Sequence, residues 1–342
     1  MARKSFAIAT LSIFAIAFSA CTANEDIEEL NNSSSDNNAI RFRVETTART
    51  RANGARSIST PVTDFKVSAL DGGRSYFGNS PINVFSADNG NSWASENTKF
   101  WPSDRPADWN GFTFVAYADA NPNGKALQTN AGEASFSDYV VASRVSEQSD
   151  LMYAVAKDVK KNSSNGSVNL NFRHALAMIT FTAQNNSPVY DDIEILSIEL
   201  GGVKGKGSYT FPQESTSARG EWTVDENSMD RSFTIDGLGI SLGSGASLRG
   251  EKVNISTTSR SEMENVMYLI PQEVEDGAYI KVKTRMTLQG FPDNSYISEE
   301  IIPISVDWKE GRQYNYNIAW DATPITFDVK VANFREVTAN AD

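Results

Sequence analysis

From Ile40 to the C-terminus, apolar side chains recur at every second position rather than every third or fourth. In YIKVKTRMTL (279–288), Ile280, Val282, Met286 and Leu288 fall on one side with Thr284 among them, and Lys281, Lys283 and Arg285 fall on the other. A strand with one face in a core and one in water has this pattern. MITFTA (178–183), QYNYNIAW (313–320) and ITFDVKV (325–331) alternate in the same way. Clusters of Gly, Asn, Asp, Ser and Pro separate the runs, as in SADNGNS (86–92), DANPNGK (119–125), KKNSSNGS (160–167) and GSGAS (243–247). These residues favour turns. No long run has helical periodicity, and no repeat of fixed length is present. The expected class is all-β, built from sandwiches. KKNSSNGS closes a first β-rich half and the strand near Ala175–Ala183 opens a second, so domains are expected over 40–174 and 175–342.

A chain of 342 residues, 40% apolar and 10% aromatic, has the length for two domains and the side chains for two cores. Residues 1–20 stand outside them. Arg3 and Lys4 precede SFAIATLSIFAIAFSA, an apolar run that ends in small residues. This is the layout of a secretory signal, and it is short for a membrane span. Cys21 follows at once and is the sole cysteine, so no internal disulfide is available to the exported chain. The sequence FSAC resembles a bacterial lipobox, with Phe18 in place of the usual Leu. Lipidation of Cys21 would anchor the chain by burying acyl methylenes in a leaflet. Residues 21–39 then read as a polar tether that cannot form a core. Its acids Glu25, Asp26, Glu28 and Glu29 resemble the export tag of Bacteroidota surface lipoproteins, which implies display on the cell outer membrane.

The net charge of −12 argues against a nucleic-acid partner, which needs a basic face. One stretch departs from this balance. AIRFRVETTARTRANGARS (39–57) holds Arg41, Arg43, Arg49, Arg51 and Arg56 against the single acid Glu45. Ile40, Phe42 and Val44 give it one apolar face over a short strand. Thr46–Ser59 has no apolar pattern, and polar segments of this kind are where proteases nick a chain. The competing reading is that the arginines keep an edge strand soluble or meet lipid phosphates.

Signatures of catalysis are missing. His174 is the only histidine and no GxSxG surrounds a serine, so a Ser-His-Asp triad has no support and His174 reads as structural or interdomain. One Cys and one His cannot make a Cys/His metal site. No phosphate loop or dinucleotide fingerprint occurs. Asp119, Asn121, Asn123 and Gly124 match the start of a calcium loop, but Asn130 stands where the bidentate Glu is required. Asp191 and Asp192 are adjacent and would point to opposite faces of a strand. The expectation is therefore no enzyme, no cofactor and no metal. Trp93, Trp101, Trp109 and Tyr117 suit either a sugar-stacking platform or a core. The interleaved Phe112, Phe114 and Ala116 favour the core.

Several segments together resemble the fimbrillin family, the pilin-like surface proteins of Bacteroidota. They are KFWPSDRPADWNGFTFVAYAD (99–119), SDLMYAVAK (149–157), VNLNFRHALAMITFTA (168–183), IEILSIELGGVKGKGSYTF (193–211), MYLIPQ (267–272) and WKEGRQYNYNI (308–318). The resemblance lies in their order and spacing across nearly the whole mature chain. It implies two tandem transthyretin-like β-sandwich domains, export as a lipoprotein and assembly into a fimbria. In family members that polymerise, cleavage after an arginine near the mature N-terminus removes the first strand. A segment of another subunit then fills the groove by strand addition. Arg49, Arg51 and Arg56 become the candidate processing sites, and Ile40, Phe42 and Val44 the released strand.

The C-terminal run repeats the Ile-x-Phe-x-Val pattern of the first strand: Ile325, Phe327 and Val329, followed by Val331 and Phe334. This makes it the candidate donor strand, with head-to-tail contacts that build filaments. The same run equally suits a strand that completes its own domain. The expected partners are other fimbrial subunits by strand addition, a host protein or glycan, and the outer membrane through lipid on Cys21. The alternative function is a monomeric surface lipoprotein, as anchor or tip adhesin, that binds a host ligand or glycan.

Overall fold

A computed structural model describes residues 38–45, 62–87, 92–118, 128–130, 133–161, 166–212, 218–243, 250–258, 263–274, 277–321 and 326–333. Among them the alternating runs are strands. The principal ones are β1 (Arg41–Glu45), β2 (Asp64–Asp71), β3 (Ile82–Phe85), β4 (Phe112–Ala118), β5 (Glu133–Val140), β6 (Met152–Val159), β7 (Ser167–Asn171) and β8 (Ala177–Asn185). There follow β9 (Tyr190–Lys204), β10 (Lys206–Thr210), β11 (Glu221–Val224), β12 (Asp230–Ser241), β13 (Tyr279–Leu288), β14 (Ser295–Pro303), β15 (Arg312–Trp320) and β16 (Thr326–Asn333). The class is all-β, as the alternation requires.

In the first half, β6, β4, β2 and β3 lie side by side in that order, each antiparallel to its neighbour. A small parallel pair, β1 with β7, covers their inner face. Ile40, Phe42, Val168 and Leu170 from the pair share one buried cluster with Phe65, Val67, Phe112, Phe114 and Phe172. Trp101 is buried in that cluster, and Trp93 and Trp109 pack against it. These tryptophans therefore belong to the core, not to an exposed platform. Tyr117 is also buried, but in the larger cluster of the second half.

In the second half, β12, β9, β13 and β14 form an antiparallel sheet in that order. The facing sheet is built on β8 and β15, which run parallel from Met178↔Gln313 to Asn185↔Trp320, with β16 antiparallel on the outer side of β15. β13 follows its sequence pattern. Ile280, Val282, Thr284 and Met286 are buried, while Lys281 and Lys283 reach Glu199 and Glu299 at 3.0 and 2.9 Å on the outer face. Arg285 pairs with Glu194 on the same side.

The two halves share packing. β5, which precedes residue 174, pairs with β10, which follows it. Tyr117, Phe136, Leu151, Tyr153 and Val155 sit in one cluster with Met178, Phe211 and Ile270. Apolar burial across this junction holds the halves together.

The Thr284 hydroxyl is fully buried and has no hydrogen-bond partner among the described residues. A buried polar group left unpaired costs on the order of 1–3 kcal/mol. Thr284→Val keeps the shape and removes that group. It is expected to stabilise the fold by about 1 kcal/mol, read as a raised denaturation midpoint with an unchanged denaturant slope.

Candidate functional site

β1 is short, and its hold on the protein is uneven along its length. At its N-terminal side the backbone is paired on both edges. Ile40 N donates to Lys99 O at 2.7 Å, and Trp101 N donates to Asn38 O at 2.8 Å. Asn38 Nδ2 donates to Trp101 O at 2.7 Å, and Lys161 Nζ donates to Asn38 Oδ1 at 3.1 Å. On the opposite edge Arg41 N donates to Gly166 O at 3.3 Å, and the parallel register continues through Phe42↔Val168 and Val44↔Leu170. Residues 99–101 thus form a strap across the strand's entry. Toward Glu45 the described pairing is to β7 alone.

The side chains match this arrangement. Ile40 and Phe42 are buried, Val44 is half-buried and Arg43 is exposed. Phe42 lies edge-on to Phe65 and Phe114, each at 6.0 Å between ring centroids. Such pairs are favourable beyond the area they bury. Gly166 is required where it stands. Its φ is +67°, and a Cβ there would lie 2.8 Å from both Ala39 O and Trp101 Nε1. Trp101 Nε1 itself donates to Gly166 O at 3.2 Å. Sequence reasoning found Ile40, Phe42 and Val44 but missed the strap, because KFW and Gly166 carry no periodic signal.

The residues that join β1 to Val62 are 46–61, so Arg49, Arg51 and Arg56 lie outside the described residues. So do Cys21 and the acids of the tether, and so does the calcium-like string at 119–127. At the other end of the chain, β16 lies antiparallel on β15 with Ile318↔Phe327, Tyr316↔Val329 and Tyr314↔Val331. Val329 packs against the core, whereas Val331 is 57% exposed. Ile325 and Phe334 lie outside the described residues. In this chain, then, the C-terminal run adds a strand to its own sheet.

The remaining chemistry-bearing residues have structural partners. His174 is buried, with Nδ1 2.5 Å from Asp150 Oδ2. Asp191 accepts from Gly290 N at 2.9 Å and Asp192 from the Ser241 hydroxyl at 2.6 Å, so the two acids serve different turns. Among the described residues no three His, Cys, Asp or Glu side chains gather as a metal site.

One titratable group was not visible in the sequence. Glu310, in the charged-looking stretch WKEGRQ, is buried at the junction of the halves. The Tyr153 hydroxyl donates to its Oε1 at 2.6 Å, and Arg219 Nη1 donates to its main-chain O at 2.7 Å and lies 3.9 Å from Oε1. Burial raises the Glu310 carboxyl to about 7, against the opposing pull of the Tyr153 hydrogen bond and the nearby arginines. Burial also raises Tyr153 and Tyr209 above the ordinary phenol range. The arrangement is a polar pin inside an apolar junction.

Comparison with known proteins places the architecture. The pattern of the fimbrillin-like family matches residues 43–333. A fimbrial protein from Bacteroides vulgatus has a similar structure, with a TM-score of 0.58 at 17% identity, covering 87% of this chain and 99% of that one. A candidate cell adhesion protein from Parabacteroides distasonis superposes with a TM-score of 0.51 at 12% identity, over 88% and 98% of the two chains. Another from Bacteroides uniformis gives 0.50 at 15%, over 87% and 98%. No curated protein matches this chain.

Two outcomes follow from the geometry. Gly166→Ala is expected to destabilise the first half by roughly 1–3 kcal/mol, through a strained backbone and a clash with the strap. Hydrogen exchange at the Ile40 and Arg41 amides should accelerate while the β9–β13 amides hold. The Glu310 carboxyl binds its proton more tightly folded than at its ordinary value of 4.5. Its contribution to stability is therefore fully present below pH 4.5 and lost as pH rises through about 7. Glu310→Gln should flatten that slope and be the more stable form at pH 8, by up to about 3 kcal/mol. Denaturation midpoints measured across pH 4–8 test this.

Proposed function

This chain belongs to the fimbrillin-like family, and we propose that it is a structural or accessory subunit of a surface fimbria that supports adhesion. It is exported, lipidated at Cys21 and held at the cell outer membrane by the tether at 21–39. A protease then cuts after Arg49, Arg51 or Arg56, and β1 leaves with the lipid. The observation that carries this reading is the position of β1. It is a core strand, yet its only forward covalent link runs through the arginine-bearing residues 46–61. Its departure would open a groove floored by Phe65, Phe114, Val168 and Leu170, which are buried beside it. A tethered strand is held by a high effective concentration, and the cut removes that advantage.

The strand that refills the groove is the C-terminal segment of a neighbouring subunit, with Ile325, Phe327, Val329 and Val331 as the residues that enter it. Its place at the outer edge of its sheet, with Val331 exposed, is compatible with exchange. The subunit consists of tandem domains over 40–174 and 175–342, with β5 reaching across. The described residues carry no role in catalysis in this proposal. The fimbrial protein and the two candidate adhesion proteins of similar fold support the reading.

A second reading keeps both terminal strands in place, as β16 is here. The chain is then a monomeric surface lipoprotein, an anchor or a tip adhesin, with a host protein or glycan as ligand. A cleft of about 970 Å³ between the halves, lined in part by Asp64, Gln148, Asp236 and Tyr268, is where such a ligand would sit.

The N-terminus of the protein in high-molecular-weight material sheared from cells separates the two. A start at Thr50, Ala52 or Ser57 is the expected result. Lipidated Cys21, or the lack of such material, would favour the second reading. Phe327→Asp should leave the subunit secreted and abolish polymers; polymers of normal length from that variant would exclude the C-terminal segment as donor.

A further inference from the structure

The sheet formed by β12, β9, β13 and β14 ends in a long unpaired edge. β14 pairs with β13 from Tyr279↔Pro303 to Thr287↔Ser295. Among the described residues no strand lies on its other side. Natural sheets blunt such edges with charge, proline or brevity, because the free N–H and C=O groups template pairing. β14 is nine residues long and exposes Tyr296 at 43%, Ile297 at 50% and Ile301 at 65%. Its charges are partly engaged within the chain: Glu299 lies 2.9 Å from Lys283 Nζ, and Glu300 accepts from the Ser298 hydroxyl at 3.1 Å.

We propose that two copies of this chain pair through β14, antiparallel about a two-fold axis centred on Glu299. The sequence SYISEEIIP is self-complementary in that register. Ile297 faces Ile301 of the second copy on the outer face. Tyr296 faces Ile302, and Ser298 faces Glu300, on the inner face. Both apolar pairs and the polar pair occur twice, as an isologous contact requires. Only Glu299 meets its own copy, and each of these carboxylates already carries Lys283. A register shifted by one residue would put Ile297 opposite Glu300 or Ile302 and join the outer face of one sheet to the inner face of the other, and a shift of two would put Ile297 opposite Glu299 or Pro303, so the pattern selects one alignment. The contact joins two four-stranded sheets into a continuous one. It leaves β1 and β16 untouched and does not depend on the fimbrial reading.

Residues opposite each other in an antiparallel pair have Cα atoms about 4.5–5.5 Å apart, within disulfide range. The test uses the chain with Cys21→Ser, so that introduced cysteines stand alone. Under mild oxidation, Glu299→Cys should form a disulfide-linked dimer. Ile297→Cys alone should not, and Ile297→Cys combined with Ile301→Cys should. The parent chain should sediment as a dimer, and Ile301→Lys, on an exposed position, should make it a monomer that stays folded, with an unchanged circular-dichroism spectrum. The proposal is overturned if the parent sediments as a monomer. It is also overturned if Glu299→Cys and Ile297→Cys link equally, or if a dimer forms that Ile301→Lys leaves intact. The last result would place the contact on another face or with another strand.

Discussion

The first half of this protein depends on a strand that cannot support itself. Five residues of parallel pairing between β1 and β7 make a two-stranded ribbon, which is marginal in water when isolated. What holds β1 is the burial of Ile40 and Phe42 against Phe65 and Phe114, with the main chain clasped by residues 99–101 and by Gly166. Burying a side chain of this size stabilises by about 1.5–3 kcal/mol. Two of them amount to a large fraction of the 5–15 kcal/mol that a typical domain retains. The core beneath β1 is therefore closed on condition that the strand stays, and the residues that keep it covalently attached are the arginine-bearing ones.

The second half meets the same physics at its edges. Each of its two sheets ends in a strand with one free side among the described residues, β14 in one and β16 in the other. β16 places Asp328 and Lys330 in water together with Val331. β14 places isoleucines there. An ordinary monomer would suppress such edges. In the assembly proposed above they would have a use, because backbone pairing is the least sequence-demanding way to join chains, and alternate side chains then supply the selectivity.

Between the halves lies an apolar contact crossed by a buried polar pair, Tyr153 with Glu310. Apolar surfaces tolerate sliding, whereas a hydrogen bond of 2.6 Å to a buried carboxyl is satisfied in one arrangement only. The pair therefore fixes how the halves sit, and the Glu310 carboxyl makes that contact sensitive to proton concentration near neutrality.

Much of this was legible in the sequence. The period of two in YIKVKTRMTL placed Thr284 among buried residues and three cations outside, and β13 has that layout. Ile40, Phe42 and Val44 read as one apolar face because alternation is a property of a single strand, independent of its partner. His174 read as structural or interdomain because no serine stands in a GxSxG that could work with it. What the sequence could not determine was pairing. That β1 runs parallel to β7, that Lys99–Trp101 straps it down, and that β5 crosses to β10 all depend on contacts between distant segments. Nothing in WKEGRQ marks Glu310 as buried, and only the arrival of Tyr153 and Arg219 from elsewhere in the chain encloses it. Local sequence sets which face of a strand is apolar, through the geometry of its own backbone. Which other strand covers that face is decided by the collective closure of the core, where each pairing is selected by the burial all the others permit.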